Sequence, residues 1–240
     1  MGKILTVIPT KNNLEFTRQV VSDLNRDNQD FLIIDNESRD STMTWATDNG
    51  YNIISHQGER NVVSEMWNIG LKEALIRGYE FVAIANNDIR LPVDWAKKVE
   101  DIFFNGNVWA IYPVYTEGIF HGFKQSENTF VKPLMAPYGG CGLCGFLQIF
   151  RTDIINTIGE FDEGYDLSFQ DNDYARRILG ERVAVYTNSF IIHHYGSQTV
   201  NKETNLAERC LADRKRYLDK WNLEDTEEYK KYITCENFNG

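Results

Sequence analysis

Phe81-Val82-Ala83-Ile84-Ala85-Asn86-Asn87-Asp88 is a run of five apolar residues that stops at three polar ones. A short apolar run with so sharp an end reads as a strand buried on both faces. In an open α/β sheet, ligands bind beyond the carboxyl ends of the strands, so polar residues at that end are placed for chemistry. Asn-Asn-Asp alone fits an ordinary turn equally well. Its neighbours decide between the two.

Working outward, residues 3–8, 31–35, 51–55 and 108–113 repeat the strand-like pattern. Helical stretches lie between them. Over 61–77, Val63, Trp67, Leu71, Ala74 and Leu75 share one face, and Gly78 stops the helix. Another helix opens at Pro92, suited to a first turn, and ends near Gly106. This alternation predicts an α/β fold: a Rossmann-like, mostly parallel central sheet flanked by helices. Residues 114–140, rich in Gly, Pro, Asn and aromatics, break the rhythm and read as long loops. A strand is expected at 145–150, a helix from a capping Thr152 to Gly159, and a helix over 171–180. Strands near 183–187 and 190–194 follow, then a helical tail over 203–232 anchored by Tyr217 and Trp221. The expected organisation is one domain over 1–200, divided near 113 into two halves, with a C-terminal helical extension over 201–240 packed on it.

The 240 residues are 42% hydrophobic and 13% aromatic, which argues against disorder. A net charge of −10 disfavours a duplex nucleic-acid binder and adsorption to an anionic membrane. The basic residues Arg209, Arg214, Lys215, Arg216 and Lys220 alternate with Glu208, Asp213 and Asp219, so a solvated helix face is the simplest reading. No targeting pattern opens the sequence, and no apolar run reaches the roughly 18 residues of a membrane span. The expectation is a cytoplasmic chain whose Cys141, Cys144, Cys210 and Cys235 are reduced. Cys141 and Cys144 form a CxxC with no second pair to complete a zinc site. The GxGxxG match over 140–145 is followed by a strand rather than a helix, so it fails as a dinucleotide fingerprint.

Three strand ends carry small polar or acidic groups: Pro9-Thr10-Lys11-Asn12, Asp35 to Ser41, and Asn86-Asn87-Asp88. Together they would line one crevice, with a base or ribose at Thr10 and Asp35 and a diphosphate over Asp88. Asp40 or Ser41 is expected to cap the helix opening at Thr42, whereas Asp35 comes too early for that. Asp88 suits Mg²⁺ or Mn²⁺, hard cations that take few protein carboxylates. Asp171 and Asp173 open a helix two positions apart; at about 100° per residue they point to different sides and do different jobs. Either could merely favour the helix dipole. His193 and His194 end a strand-like run on opposite faces.

In this order the pieces resemble the family-2 glycosyltransferases of GT-A fold, in particular the rhamnosyltransferase-like branch. The resemblance runs over about residues 3–200 and rests on six short segments. These are Ile8-Pro9-Thr10, Ile33 to Thr42, Asn61 to Gly70, Asn86-Asn87-Asp88, Gly159 to Glu163 with Gln170 to Asp173, and His194 to Ser197. It implies inverting transfer from a nucleotide diphospho-sugar, a UDP- or dTDP-sugar, to an acceptor glycan, lipid-linked sugar or other hydroxyl. It further implies Mn²⁺ or Mg²⁺ on Asp88 and His194, donor contacts from Pro9, Thr10, Asp35, Asn68 and Asn87, and Asp171 as general base with Asp173 as runner-up. Residues 1–113 become the nucleotide-sugar half and 114–200 the acceptor half. Val63 stands where the family has Gly, Trp67 replaces a common Arg, and Gln170 replaces Glu, which removes one negative charge beside the base. Two other readings compete: a non-catalytic nucleotide-sugar or glycan-binding module, and a sugar nucleotidyltransferase. The latter normally has a Gly- and Lys/Arg-rich phosphate loop after its first strand, and Pro9 to Asn13 holds one Lys and no Gly.

Overall fold

A computed structural model of the chain describes residues 3–58, 62–105, 107–115, 131–133, 145–196 and 204–225. The strands are β1 (Ile4–Thr10), β2 (Asp30–Asn36), β3 (Ile53–His56), β4 (Phe81–Ala85), β5 (Ile89–Arg90), β6 (Val108–Tyr115), β7 (Val131–Pro133), β8 (Leu147–Arg151) and β9 (Val183–His194). The helices are α1 (Leu14–Arg26), α2 (Thr42–Asp48), α3 (Val63–Ile76), α4 (Trp95–Asn105), α5 (Ile154–Ile158), α6 (Gln170–Glu181) and α7 (Leu206–Trp221).

Among the described residues the strands form one sheet ordered β3-β2-β1-β4-β8-β6-β9-β5, with β7 also on β9. Pairings of β1 with β2 and β4, of β2 with β3, and of β6 with β9 are parallel. The expected mostly parallel sheet is therefore present. β8 is inserted antiparallel between β4 and β6, so its first residues stand at the carboxyl ends of its neighbours. Side-chain alternation then divides the core in two. One face carries Ile8, Ile33, Ala83, Ala85 and Ile149 under α1 and α4. The other carries Val7, Ile34, Ile84, Tyr112 and Phe150 under α3 and α6. Gly70 lets α3 approach closely, since a Cβ there would meet the Val7 side chain at 2.4 Å.

Several sequence expectations need correction. The two strands expected near 183–187 and 190–194 are one, because the register jumps from Pro113↔Thr187 to Val114↔Ile191 and the extra residues bulge without ending the strand. The helix expected to open at Pro92 opens at Trp95, after Asp94 takes a left-handed φ of 61°. Thr152 does not cap α5; Asp153 occupies that position without a side-chain bond. α7 stops at Trp221, where Asn222 adopts the left-handed conformation and the Leu223 N–H closes onto Leu218 O at 3.0 Å. The rest of the expected tail, beyond 225, lies outside the described residues, as do Cys141, Cys144, Cys235 and most of 114–140. Cys210 is disulfide-bonded, which overturns the expectation of four free thiols. That expectation rested only on the missing targeting pattern, which carries no information about which cysteines meet in space. No helix among the described residues is long and apolar enough to cross a membrane.

The C-terminal helix packs on the same body. Tyr217, Leu218 and Cys210 on α7 bury against Tyr165 and Phe169. Its basic residues are not simply solvated as expected. Arg209 bonds Asp166 at 2.6 Å, Lys220 bonds Asp162 at 2.7 Å, and Arg214 pairs with Asp225.

Candidate active site

The loops after β1, β2 and β4 meet at the carboxyl edge of the sheet. Asn12 and Asn13 both have positive φ, a conformation Asn tolerates better than most residues. The turn they make is joined to the next strand end: the Asn12 N–H donates to Ser38 Oγ at 2.7 Å, the Arg39 N–H to Asn12 Oδ1 at 2.7 Å, and the Leu14 N–H to Asp40 Oδ2 at 3.0 Å. The N-cap of α2 is Ser41, which makes no side-chain cap bond; Asp40, one residue earlier, instead receives the Thr42 N–H at 3.0 Å. Asp35 lies beside Thr10 in register. It is 1% exposed; its Oδ2 accepts the Ser38 N–H at 3.1 Å, while its Oδ1 has no hydrogen-bond partner among the described residues. A buried carboxylate oxygen left open at a strand end is suited to a ligand hydroxyl or N–H.

Thr10 and Asn87 serve differently. The Asn87 amide donates to Thr10 Oγ1 at 3.0 Å and to Thr17 Oγ1 at 3.1 Å, and the two hydroxyl oxygens lie 2.9 Å apart. This buried triangle ties β1, α1 and the Asn-Asn-Asp loop together and sets where the next residue points. Thr17 was invisible in the sequence because α1 carries no recognisable motif. Pro9 is buried in β1 opposite Ile34. Asn68 is not brought to the crevice. Both its amide protons are committed, to Phe161 O at 3.0 Å and Glu163 Oε1 at 2.8 Å, and its Oδ1 accepts the Phe161 N–H at 2.7 Å. It pins the 161–163 turn to α3.

Asp88, 4% exposed, meets His194 as expected: Oδ1 and Nε2 are 3.3 Å apart. Two features force the meeting. β5 pairs with the end of β9 in the register Ile89↔His194, and the Tyr195 N–H donates to Asp88 O at 3.0 Å. Phe146 stacks on the His194 ring with centroids 5.1 Å apart. No cluster of three or more His, Cys, Asp or Glu converges among the described residues. One carboxylate and one imidazole side by side fit a divalent cation that completes its shell with phosphate oxygens and water, as Mg²⁺ and Mn²⁺ do. They do not fit a closed structural zinc site.

Across the segment Gly145–Phe146 stands Asp171, in the first turn of α6. A Cβ at Gly145 would come within 3.1 Å of Asp171 Oδ2 and 3.5 Å of the Trp67 ring. Burial pushes the Asp171 carboxyl up to about 6, against the opposing pull of backbone N–H groups from Asn172, its own residue and Gly145. Asp173 points elsewhere. It is 0% exposed, and its oxygens receive Arg177 Nε at 3.1 Å, Trp221 Nε1 at 3.0 Å and Lys220 Nζ at 2.8 Å. Those donors engage both of its carboxylate oxygens.

α7 holds the approach to α6. Asp213 accepts three successive backbone N–H groups, from Asp166, Leu167 and Ser168, at 2.9, 2.7 and 2.9 Å. Phe169, next in line, is held at φ 70°, an uncommon conformation for an aromatic residue, with its ring 5.4 Å from Tyr217. Asp213→Ala would leave the three N–H groups without their carboxylate. It is expected to lower stability by about 3 kcal/mol in urea unfolding. An unchanged unfolding midpoint would show that the carboxylate is dispensable.

No protein-family model and no curated protein matches the chain. Its fold is nevertheless defined: the mostly parallel sheet with the antiparallel β8 insertion and helices on both faces is the GT-A-like glycosyltransferase fold. Among solved structures, S. aureus TarS 1-349 is 16% identical, matches over 97% of this chain and 70% of that one, and gives a TM-score of 0.64. The same TarS segment in complex with UDP-GlcNAc gives 0.66 at 16% identity, over 96% of this chain and 70% of that one. Its complex with UDP gives 0.64 at 16% identity, over 96% and 69% of the two chains. Identities this low speak for the fold alone.

Proposed function

We propose that the protein is an inverting glycosyltransferase that moves a sugar from a nucleotide diphospho-sugar, a UDP- or dTDP-sugar, to an acceptor hydroxyl. The observation that carries this reading is the placement of Asp171 opposite the Asp88–His194 pair, on either side of residues 145–146. One side suits a leaving diphosphate and the other a base. The resemblance of the motifs to the rhamnosyltransferase-like branch supports it, as does the binding of UDP-GlcNAc and UDP by TarS, which shares the fold. The acceptor classes are a glycan, a lipid-linked sugar or another hydroxylated molecule.

In this reading Asp35 takes a base or ribose group with its open Oδ1, and the Thr10–Asn87–Thr17 triangle fixes the loop that carries Asp88. Asp88 and His194 would hold Mn²⁺ or Mg²⁺, which would neutralise charge on the diphosphate. The acceptor O–H gives its proton to the Asp171 carboxylate as the oxygen bonds to the anomeric carbon. The anomeric carbon–phosphate oxygen bond breaks with its electron pair leaving on the nucleoside diphosphate. A base at about 6 is ionised at neutral pH yet basic enough to accept a proton. Gln170, buried beside it, avoids a second negative charge that would raise it further.

The test is a panel of UDP- and dTDP-sugars incubated with the protein and Mn²⁺, read as released nucleoside diphosphate. Release of one nucleotide from one sugar is expected, with a rate that falls about tenfold per pH unit below about 6 as Asp171 takes up its proton. Metal-dependent binding without release would favour the non-catalytic module; pyrophosphate release from a nucleoside triphosphate and sugar phosphate would favour a nucleotidyltransferase.

A further inference from the structure

Gln148, the second residue of β8, is 0% exposed and stands opposite Ile84 of β4. On its other side the ladder runs Ala110↔Phe150 and Ile111↔Ile149, which brings Tyr112 beside Gln148 at the next step and on the same face. That face is otherwise built from Val7, Ile34, Val82, Ile84 and Phe150, so an amide has no packing reason to be there. Neither the oxygen nor the nitrogen of the Gln148 amide has a hydrogen-bond partner among the described residues, and the same holds for the Tyr112 hydroxyl and the Trp67 indole N–H. Roughly nine in ten buried polar groups are paired in folded proteins, so such a concentration asks for a ligand.

Tyr112 and Trp67 belong to one buried cluster on the face of the sheet that Gln148 shares. Trp67, from the first half of α3, covers this face and reaches Gly145, where the Asp171 carboxylate also arrives. Asp171 is close enough to Tyr112 for its charge, after burial and Tyr174, to help raise the phenol's pKa. Resting on the glycosyl-transfer reading above, the geometry fixes where the reacting sugar must be. Its anomeric carbon lies between a diphosphate at Asp88 and an acceptor oxygen at Asp171, and the segment between those residues is the one that opens β8.

We propose that Gln148, with Tyr112 and Trp67, forms the floor of the subsite for the transferred sugar and reads its ring hydroxyls. The chemistry matches. A pyranose hydroxyl both donates and accepts; a carboxamide offers both functions, a phenol offers both, and an indole donates. All three groups are neutral, as suits a sugar, whereas a phosphate would call for Arg or Lys. The Trp67 and Tyr112 rings add flat apolar surface for the C–H face of a pyranose. A site of this kind discriminates strongly against an epimer or deoxy analogue, because the wrong sugar leaves a buried group unpaired.

The two substitutions that test it are Gln148→Met and Tyr112→Phe, each of which removes polar atoms at nearly constant shape. Affinities for UDP, for dTDP, and for a set of UDP- and dTDP-hexoses that differ at single hydroxyls are measured by calorimetry with Mn²⁺, alongside melting temperatures. Wild-type protein is expected to bind one nucleotide sugar more tightly than its bare nucleotide. Gln148→Met should weaken that sugar's binding about tenfold and Tyr112→Phe about fivefold, with bare-nucleotide affinity unchanged. Both variants should melt at or above the wild-type temperature, because an unpaired buried polar group has gone. Unchanged sugar affinity, an equal loss for bare nucleotide, a lowered melting temperature in both variants, or an effect confined to acceptor KM would each overturn the proposal. If wild-type protein binds no nucleotide sugar at all, the glycosyl-transfer reading falls first, and the sugar subsite with it.

Discussion

Asp171→Asn is expected to abolish turnover and, at pH 7.5, to raise the melting temperature. The two effects share one cause. Burial raises the carboxyl to about 6, above its ordinary 3.8, so the folded protein binds that proton more tightly than the unfolded chain does. The stability due to this tighter binding is fully present below about 3.8 and is lost as pH rises through about 6. At pH 7.5 the fold therefore carries an ionised carboxylate that would be better solvated in the unfolded chain. Asparagine is nearly isosteric, keeps an oxygen for the Asn172 N–H, and has no charge to desolvate. It also cannot take a proton from an acceptor. A loss of about 10³-fold in kcat is expected, together with a gain of a few degrees, about 2–4 °C per kcal/mol for a chain of this size. In scans at pH 5, midway between 3.8 and about 6, the gain should be about half of that at pH 7.5, and it should approach zero only below about 3.8. Wild-type turnover in the variant would remove Asp171 as the base, and an equal gain at both pH values would remove charge burial as the cause.

The second large effect is expected at Asp88. In Asp88→Ala, UDP or dTDP affinity should no longer depend on Mn²⁺, and sugar release should fall by about 10³-fold. His194→Ala should be milder, since the carboxylate and diphosphate remain to hold the ion, and added Mn²⁺ should recover part of its activity. Nucleotide binding in the absence of metal should be equal in all three proteins if, as proposed, the base and ribose are held at Asp35, on another strand end. Mn²⁺ that still tightened nucleotide binding in both variants would place the ion elsewhere.

The sequence carried the frame of this site but not its wiring. Strand ends are legible because an apolar run must stop where the sheet stops, and the crevice of an open α/β sheet lies at that edge. Hence Asp35, Asp88 and Asp171 could be named, whereas the register that brings His194 to Asp88 is seen only in the pairing of β5 with β9. Partners within the core were not legible. Asn68 sits in a motif segment, yet its amide faces Phe161, because helical periodicity tells which side of α3 is inward and not what stands opposite. Asp173 shares its helix turn with Asp171, and only the docking of Lys220 and Trp221 from α7 shows that its oxygens are taken up within the fold. Gln148 gave no sign in its strand, since Gly145 to Phe150 scans as one apolar run in which a single amide looks incidental. Its meaning depends on β8 being slotted backwards between β4 and β6, which no local pattern encodes.

The docking of α7 onto the turn before α6 also sets an order of assembly during synthesis. A ribosome delivers β1, α1, β2 and β4 early, and with them the loops holding Asp35 and Asp88. The Asp213 carboxylate that gathers the N–H groups of 166–168, and the Tyr217 ring beside Phe169, arrive only with the last described helix. A nascent chain can thus form the edge that carries Asp35 and Asp88 well before the turn that leads into Asp171 is fixed.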